Sequence, residues 1–142
     1  MSNEQISVRL LTGQCLCGAV EYQVSDAFDY ALNCHCSLCR RSTGAAFKPF
    51  GGIAGDQLSL VRGADTLLIY GSDAAHDVHC RICGSLLYSM LDHGAKVHVT
   101  YGTLLQSPSL QPTAHIFVGS KASWHVIADG LPQHEEFPMS DE

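Results

Sequence analysis

Short apolar or alternating runs recur along the chain, separated at close spacing by glycines and polar turn residues. Val20-Glu21-Tyr22-Gln23-Val24 alternates with period two, as a strand does when one face is buried and the other meets water. Leu58–Val61, Thr66–Tyr70, Leu86–Met90, Lys96–Tyr101, His115–Val118 and Ser123–Ile127 read as further strands. The i, i+3, i+4, i+7 pattern of a long amphipathic helix is missing, and one or two turns over Ser37–Thr43 form the best helical candidate. The pattern predicts a mostly β single domain over residues 1–142, built of roughly eight to ten short strands in antiparallel hairpins. Weak tails are expected at residues 1–7 and from Pro138 to Glu142.

Composition narrows the class. With 142 residues, 46% hydrophobic and 15% charged, the chain can bury a core without covalent staples. No apolar run approaches the ~18 residues of a membrane span, so no membrane partner is expected. The first ten residues lack a basic segment followed by an apolar one, so no signal peptide is expected and the cytoplasm is the default location. Fourteen acidic against eight basic residues leave a formal net charge of −6, which argues against phosphate-directed nucleic-acid binding.

Against that background the seven cysteines are the anomaly. They fall into three tight groups: Cys15-Leu16-Cys17, Cys34-His35-Cys36-Ser37-Leu38-Cys39 and Cys80-Arg81-Ile82-Cys83. Cysteines acting as small core hydrophobes would scatter along strand faces. In a reducing compartment such grouping points to metal ligands or nucleophiles rather than disulfides, and an odd count excludes complete pairing within one chain. Gly18 and Gly84 follow two of the groups and allow the chain to turn around an ion. A closed structural zinc takes four protein ligands and a catalytic zinc commonly three, so seven divides as four plus three. Cys15, Cys17, Cys80 and Cys83 can join across the chain as one site, and Cys34, Cys36 and Cys39 can form a second with an open position.

Other uses of these thiols remain open on spacing. Cys80/Cys83 could be a redox pair, although the βαβ context of thioredoxin-like proteins is missing. An iron–sulfur cluster accepts thiolates, but ferredoxin spacings are absent. A zinc ribbon using Cys36/Cys39 and Cys80/Cys83 would strand Cys34 and the Cys15/Cys17 pair. His35 as a fourth ligand is disfavoured because adjacent residues of an extended chain point to opposite faces. His35 and His79, beside the cysteines, could support a ligand or act as a general base, but each reads first as a partly exposed polar residue. His76, His93, His98, His115, His125 and His134 show no ligand-type spacing and read as hydrogen-bonded surface. Arg40 and Arg41 follow the three-cysteine group, where guanidinium groups could offset thiolate charge and hold a substrate carboxylate.

Gly13-Gln14-Cys15-Leu16-Cys17-Gly18-Ala19-Val20-Glu21-Tyr22 resembles the opening motif of the glutathione-dependent formaldehyde-activating enzyme family, whose domain is shared with centromere protein V. Cys34 to Gly44 is similar to the second motif of that family, and Cys80 to Ser85 to its third. Ser120-Lys121-Ala122-Ser123-Trp124, then Leu131-Pro132 and Phe137-Pro138, fit its usual ending, so the resemblance spans about residues 13–138. It implies a zinc-binding β-tent fold, with several coiled sheets of short antiparallel strands around two Zn²⁺ sites. It also implies a structural zinc on Cys15, Cys17, Cys80 and Cys83, and a catalytic zinc on Cys34, Cys36 and Cys39. The implied activity is carbon–sulfur lyase chemistry on small-molecule thiol and aldehyde partners, glutathione and formaldehyde in equilibrium with S-hydroxymethylglutathione. The stretch between Cys39 and Cys80 is shorter than in relatives credited with the glutathione reaction, which leaves the thiol open. The alternative function is a non-catalytic zinc-binding interaction module of the same fold.

Overall fold

A computed structural model describes residues 8–138. Apart from Pro138, the tails expected to be weak lie outside the described residues. The elements run β1 (Leu10–Gln14), β2 (Glu21–Ser25), β3 (Tyr30–Cys34), α1 (Ser37–Thr43), β4 (Lys48–Ala54), β5 (Leu58–Arg62), β6 (Leu67–Gly71), β7 (His76–Cys80), β8 (Leu86–Leu91), β9 (Lys96–Thr100) and β10 (His115–Ile116). The strands form a three-stranded sheet in the order β1-β2-β5 and a seven-stranded sheet in the order β10-β3-β4-β9-β8-β7-β6. All pairings are antiparallel except β10 with β3.

The main core lies where the two sheets meet. Strand β2 buries Tyr22 and Val24 and leaves Glu21 and Gln23 half-buried, as its alternation predicts. These side chains pack with Leu11 and Val20 against Val78, Leu87, Val97 and Val99 of the larger sheet. Tyr22 sets the spacing. Its ring fills the place where a Cβ on Gly13 would sit, only 1.9 Å from a ring carbon, and its hydroxyl pairs with Thr103 at 2.7 Å. A second, smaller core joins Cys34, Phe50 and Ile116 with Leu32, Cys36, Cys39 and Phe117.

The sequence pattern and the fold part company in a few places. The run Ser123–Ile127 is not a strand. The Lys121 ammonium donates to the carbonyls of Ala122 and His125 at 3.2 and 2.6 Å, which curls this stretch into turns. Strand β10 is shorter than the run His115–Val118 because Phe117 takes a left-handed φ of 56° and breaks the extended chain. Strands β1, β3, β4 and β7 are additional to those read from the pattern. Strand β4 hides behind Pro49, Gly51 and Gly52, which read as loop. Both glycines are required by aromatic rings crossing the strand: a Cβ on Gly51 would meet Tyr101 at 2.6 Å, and one on Gly52 would meet Tyr30 at 2.2 Å. Helix α1 occupies the span read for it. Among the described residues no helix is long and apolar enough to cross a membrane.

Candidate metal centres

Each cysteine group sits at the end of a strand, where the hydrogen-bonded ladder stops and backbone N–H groups turn inward. Cys15 and Cys17 occupy the β1–β2 turn, and Cys80 and Cys83 the β7–β8 turn. Gly18 and Gly84 both take φ of 82°, the left-handed conformation that closes each turn around its sulfurs. The two turns belong to different sheets, yet their four sulfurs all lie within 4.8 Å of one another.

The separations suit a metal. Cys15 Sγ is 3.7 Å from Cys17 Sγ, which is 3.8 Å from Cys80 Sγ. Four sulfurs at ~2.3 Å from a tetrahedral zinc are ~3.8 Å apart, whereas a disulfide would bring a pair to ~2.05 Å. The N–H of Val20 donates to Cys15 Sγ at 3.2 Å, and that of Ile82 to Cys80 Sγ at 3.4 Å. The Ser85 hydroxyl accepts from Leu16 N–H at 3.0 Å and pairs with Cys83 Sγ at 3.2 Å. That bond draws the Cys83 thiol down to about 5. Such donors favour the thiolate, the form in which cysteine binds metals.

The second cluster is local. Cys34 ends β3, Cys36 caps the N-terminus of α1 with its sulfur accepting from Cys39 N–H at 3.3 Å, and Cys39 lies in the first turn. The three sulfurs are within 4.8 Å of one another, and no fourth histidine, cysteine or carboxylate joins them among the described residues. The bond between Cys34 and Cys39 pulls Cys34 down to about 6 and pushes Cys39 up, as expected when crowded thiols share a proton. Both clusters can therefore hold a metal ion, one with four thiolates and one with three.

The cation beside the three-cysteine cluster was missed from sequence. It is Lys48, which lies opposite Cys34 in the β3–β4 register and is buried at 6% exposure. Its charge favours the thiolate of both Cys34 and Cys39. The arginines are placed differently. Arg40 donates to the Ser120 carbonyl at 3.2 Å, and Arg41 lines a surface cleft with Leu38, Tyr70, Asp77 and His79.

Two histidines read as exposed are fully enclosed: His35 at 0% and His115 at 1% exposure. His35 Nε2 lies 2.8 Å from His115 Nδ1, and His115 Nε2 lies 3.0 Å from both oxygens of Asp129. With the carboxylate accepting from His115 Nε2–H, His115 Nδ1 accepts from His35 Nε2–H. His35 Nδ1 is then a buried acceptor with no partner among the described residues. Burial, followed by the neighbouring His115, lowers His35 to about 4. The ring packs 4.9 Å from Phe47, so the extended chain does turn His35 away from the sulfurs flanking it. That opposite-face rule was the one signal in the sequence for its burial; nothing local marks His115 or Asp129. His79 is half-buried and bonded to the Gly84 carbonyl, close to its expected surroundings.

The comparisons with known proteins agree with this arrangement. Residues 10–120 match the family model described as glutathione-dependent formaldehyde-activating enzyme. Three curated relatives bear that same description as a provisional name: one from Halomonas elongata, 40% identical over 65 residues, one from Podospora anserina, 32% over 94, and one from Fusarium vanettenii, 35% over 82. The matched regions cover 45%, 64% and 56% of this chain but 36%, 43% and 44% of those proteins, so the chain spans less than half the length of these relatives. A structural-genomics crystal structure of a Rhodobacter sphaeroides protein superimposes with a TM-score of 0.57 at 31% identity, covering 69% of this chain and 91% of that one. The family match runs through all seven cysteines, and on that ground the chain belongs to the glutathione-dependent formaldehyde-activating enzyme family.

Proposed function

We propose that the chain joins a small aldehyde, formaldehyde or a close relative, to a thiol, glutathione or another, at the three-cysteine cluster. The observation that carries this reading is the cluster's incompleteness: three gathered sulfurs and no fourth protein ligand among the described residues. Zinc held by Cys34, Cys36 and Cys39 would supply a Lewis acid with one position left for a substrate sulfur or oxygen. The four-cysteine cluster, by the same reading, holds a structural zinc that ties the two sheets together.

The reaction is an addition and balances without an oxidant. The substrate sulfur forms a bond to the aldehyde carbon, the C=O π bond breaks, and the thiol proton ends on the former carbonyl oxygen. Three thiolate ligands weaken the acidity of the metal, which favours capture of a substrate thiol over generation of hydroxide. Lys48 then has a definite part. The residue is buried opposite Cys34 in the register, where its charge offsets thiolate charge and would favour a further anion, the substrate thiolate or the oxygen that gains charge as the C–S bond forms. His35, bonded through His115 to Asp129, anchors the corner between Cys34 and Cys36 from the opposite side.

The test is metal analysis combined with exchange NMR of formaldehyde and glutathione. Two zinc ions per chain and accelerated adduct exchange are expected, with Cys36→Ser dropping to one zinc and losing the acceleration. Lys48→Met is expected to slow exchange at least about tenfold while keeping both metals. Full activity in a Cys36→Ser protein that holds one zinc would overturn the proposal. Two zincs with no response to any thiol would favour the non-catalytic module.

A further inference from the structure

The register of the larger sheet places a continuous row of side chains on the face that carries Cys34. Tyr30 lies across from Gly52, which pairs with His98; Leu32 lies across from Phe50; Cys34 lies across from Lys48 and beside Ile116 of β10. Same-face neighbours on a strand are ~6.6 Å apart. Leu32 and Phe50 are therefore one such interval from the cysteine end, and Tyr30 and His98 two. Above this row lies a cavity of ≈ 460 Å³ lined mainly by Tyr30, Leu32, Phe50, His98, Ile116 and Phe137, with the Thr113 hydroxyl at its edge, bonded to the Ala31 carbonyl at 3.4 Å. Phe50, Leu32 and Ile116 also belong to the small core that includes all three cysteines of the cluster, so the cavity and the metal site share a wall.

The walls are mostly apolar. The Tyr30 hydroxyl and His98 Nε2 bond to each other at 2.6 Å, so neither is left seeking a partner from a ligand. The Phe50 ring stacks on the His98 imidazole with centroids 4.4 Å apart. Burial, and then Lys48 and Lys96, hold His98 down to about 4, so its imidazole carries no charge near neutrality. The missing Cβ of Gly52 lets the Tyr30 ring lie across β4 and flatten that floor. At the rim, Phe137 is 69% exposed and is held by an edge contact to Phe117, ring centroids 4.8 Å apart. Two cations border the row: the Lys48 ammonium lies 5.9 Å from the centroid of the Phe50 ring, and the Lys96 ammonium 5.2 Å from that of Tyr30.

We infer that this trough is the subsite for the carbon skeleton of the thiol, and that the thiol is a low-polarity aryl or branched alkyl thiol rather than a peptide thiol. The inference rests on the reading of the three-cysteine cluster as the place where the substrate sulfur is captured. A thiol whose sulfur sits beside Cys34 has its body directed along the row of Leu32, Phe50, Tyr30 and His98. Glutathione would bring two carboxylates and an ammonium group; Lys48 and Lys96 can meet the carboxylates, but no acidic side chain lines the trough to receive the ammonium, and unpaired burial of such a group is strongly unfavourable. An aromatic ring would instead meet the Phe50–His98 stack and the edge of Tyr30 in the offset geometries that such rings prefer.

The experiment compares phenylmethanethiol with glutathione on the zinc-loaded full-length protein, with formaldehyde as the common aldehyde. Binding is read from shifts in the ring resonances of Tyr30 and His98, and exchange from kcat/KM. Phenylmethanethiol is expected to shift both rings and to exceed glutathione at least tenfold in kcat/KM. Leu32→Asp is expected to reduce that ratio at least tenfold. Phe137→Ala, at an exposed position that the fold tolerates, is expected to reduce it severalfold. Equal kcat/KM for the two thiols, a preference untouched by both substitutions, or selectivity appearing only when benzaldehyde replaces formaldehyde would each overturn the subsite. Ring shifts with phenylmethanethiol but no exchange with any thiol would support the subsite while refuting the proposed reaction. Exchange with glutathione and no ring shifts would do the reverse.

Discussion

If the four-cysteine cluster is a metal clip between sheets and the three-cysteine cluster a local site, losing each metal should cost different amounts of stability. Cys17→Ala/Cys83→Ala removes one ligand from each hairpin turn at positions that are exposed and half-buried, leaving the enclosed Cys15 and Cys80 in the core. Cys36→Ala/Cys39→Ala is the matched control, at two half-buried positions. The first clip joins residues about 60 apart, and the loop-closure expression for cross-links gives about 4 kcal/mol for that separation. The second spans about six residues and yields about 2 kcal/mol by the same expression. In a domain of this size these values translate to losses in Tm of roughly 12–16 °C and 6–8 °C. Thermal unfolding followed by circular dichroism, with metal content measured on the same samples, checks both figures. Each double variant should retain one metal ion per chain. An equal or larger loss for Cys36→Ala/Cys39→Ala, or two retained metals after Cys17→Ala/Cys83→Ala, would refute the partition.

Two further outcomes follow from buried polar groups away from the sulfurs. Burial opposes ionisation of Asp26, but the Ser109 hydroxyl and N–H at 2.6 and 2.9 Å and the Arg9 guanidinium at 2.9 and 3.1 Å outweigh it and hold the carboxyl below its ordinary value. A depressed folded-state value stabilises above the unfolded pKa of about 3.9 and is lost as pH falls through the folded one. Asp26→Asn should thus be about 1–3 kcal/mol less stable than the parent in urea titrations at pH 6, with the gap closing below about pH 4; a gap independent of pH would contradict this. His115→Leu leaves both ring nitrogens of the enclosed His35 unpaired and should cost about 1–3 kcal/mol, whereas Asp129→Asn, at a solvent-screened side chain 49% exposed, should cost clearly less. Equal losses in chemical denaturation would show that the histidine pair contributes nothing beyond its exposed end.

The parts legible in the sequence are those whose physics is local. Ligand spacing is set within a turn, so C-x-C and C-x-x-C followed by glycine announce a centre wherever the turn later docks. Helix α1 is likewise local, closed by Cys36 at its cap and by Gly44 at its left-handed end. Strands such as β2 and β9, each buried on one face, show their alternation directly. Strand β4 could not be read, because its glycines are imposed by rings from Phe28, Tyr30 and Tyr101, and β7 could not because its polar residues His76, Asp77 and His79 mask it. The alternating run after Lys121 misled for the converse reason: it has a strand's pattern but no partner to complete a ladder.

By itself, then, the sequence determined a mostly β chain with seven thiols divided into three turns, because periodicity and ligand spacing are properties of neighbouring residues. Tertiary structure decided which turns converge, that Lys48 rather than Arg40 or Arg41 stands beside Cys34, and that His35 is buried through His115 and Asp129. It also decided that the cysteine face continues into an aromatic trough. Each of these depends on strand register and loop packing, which bring together residues distant in the chain through hydrogen bonds and contacts that no local window contains.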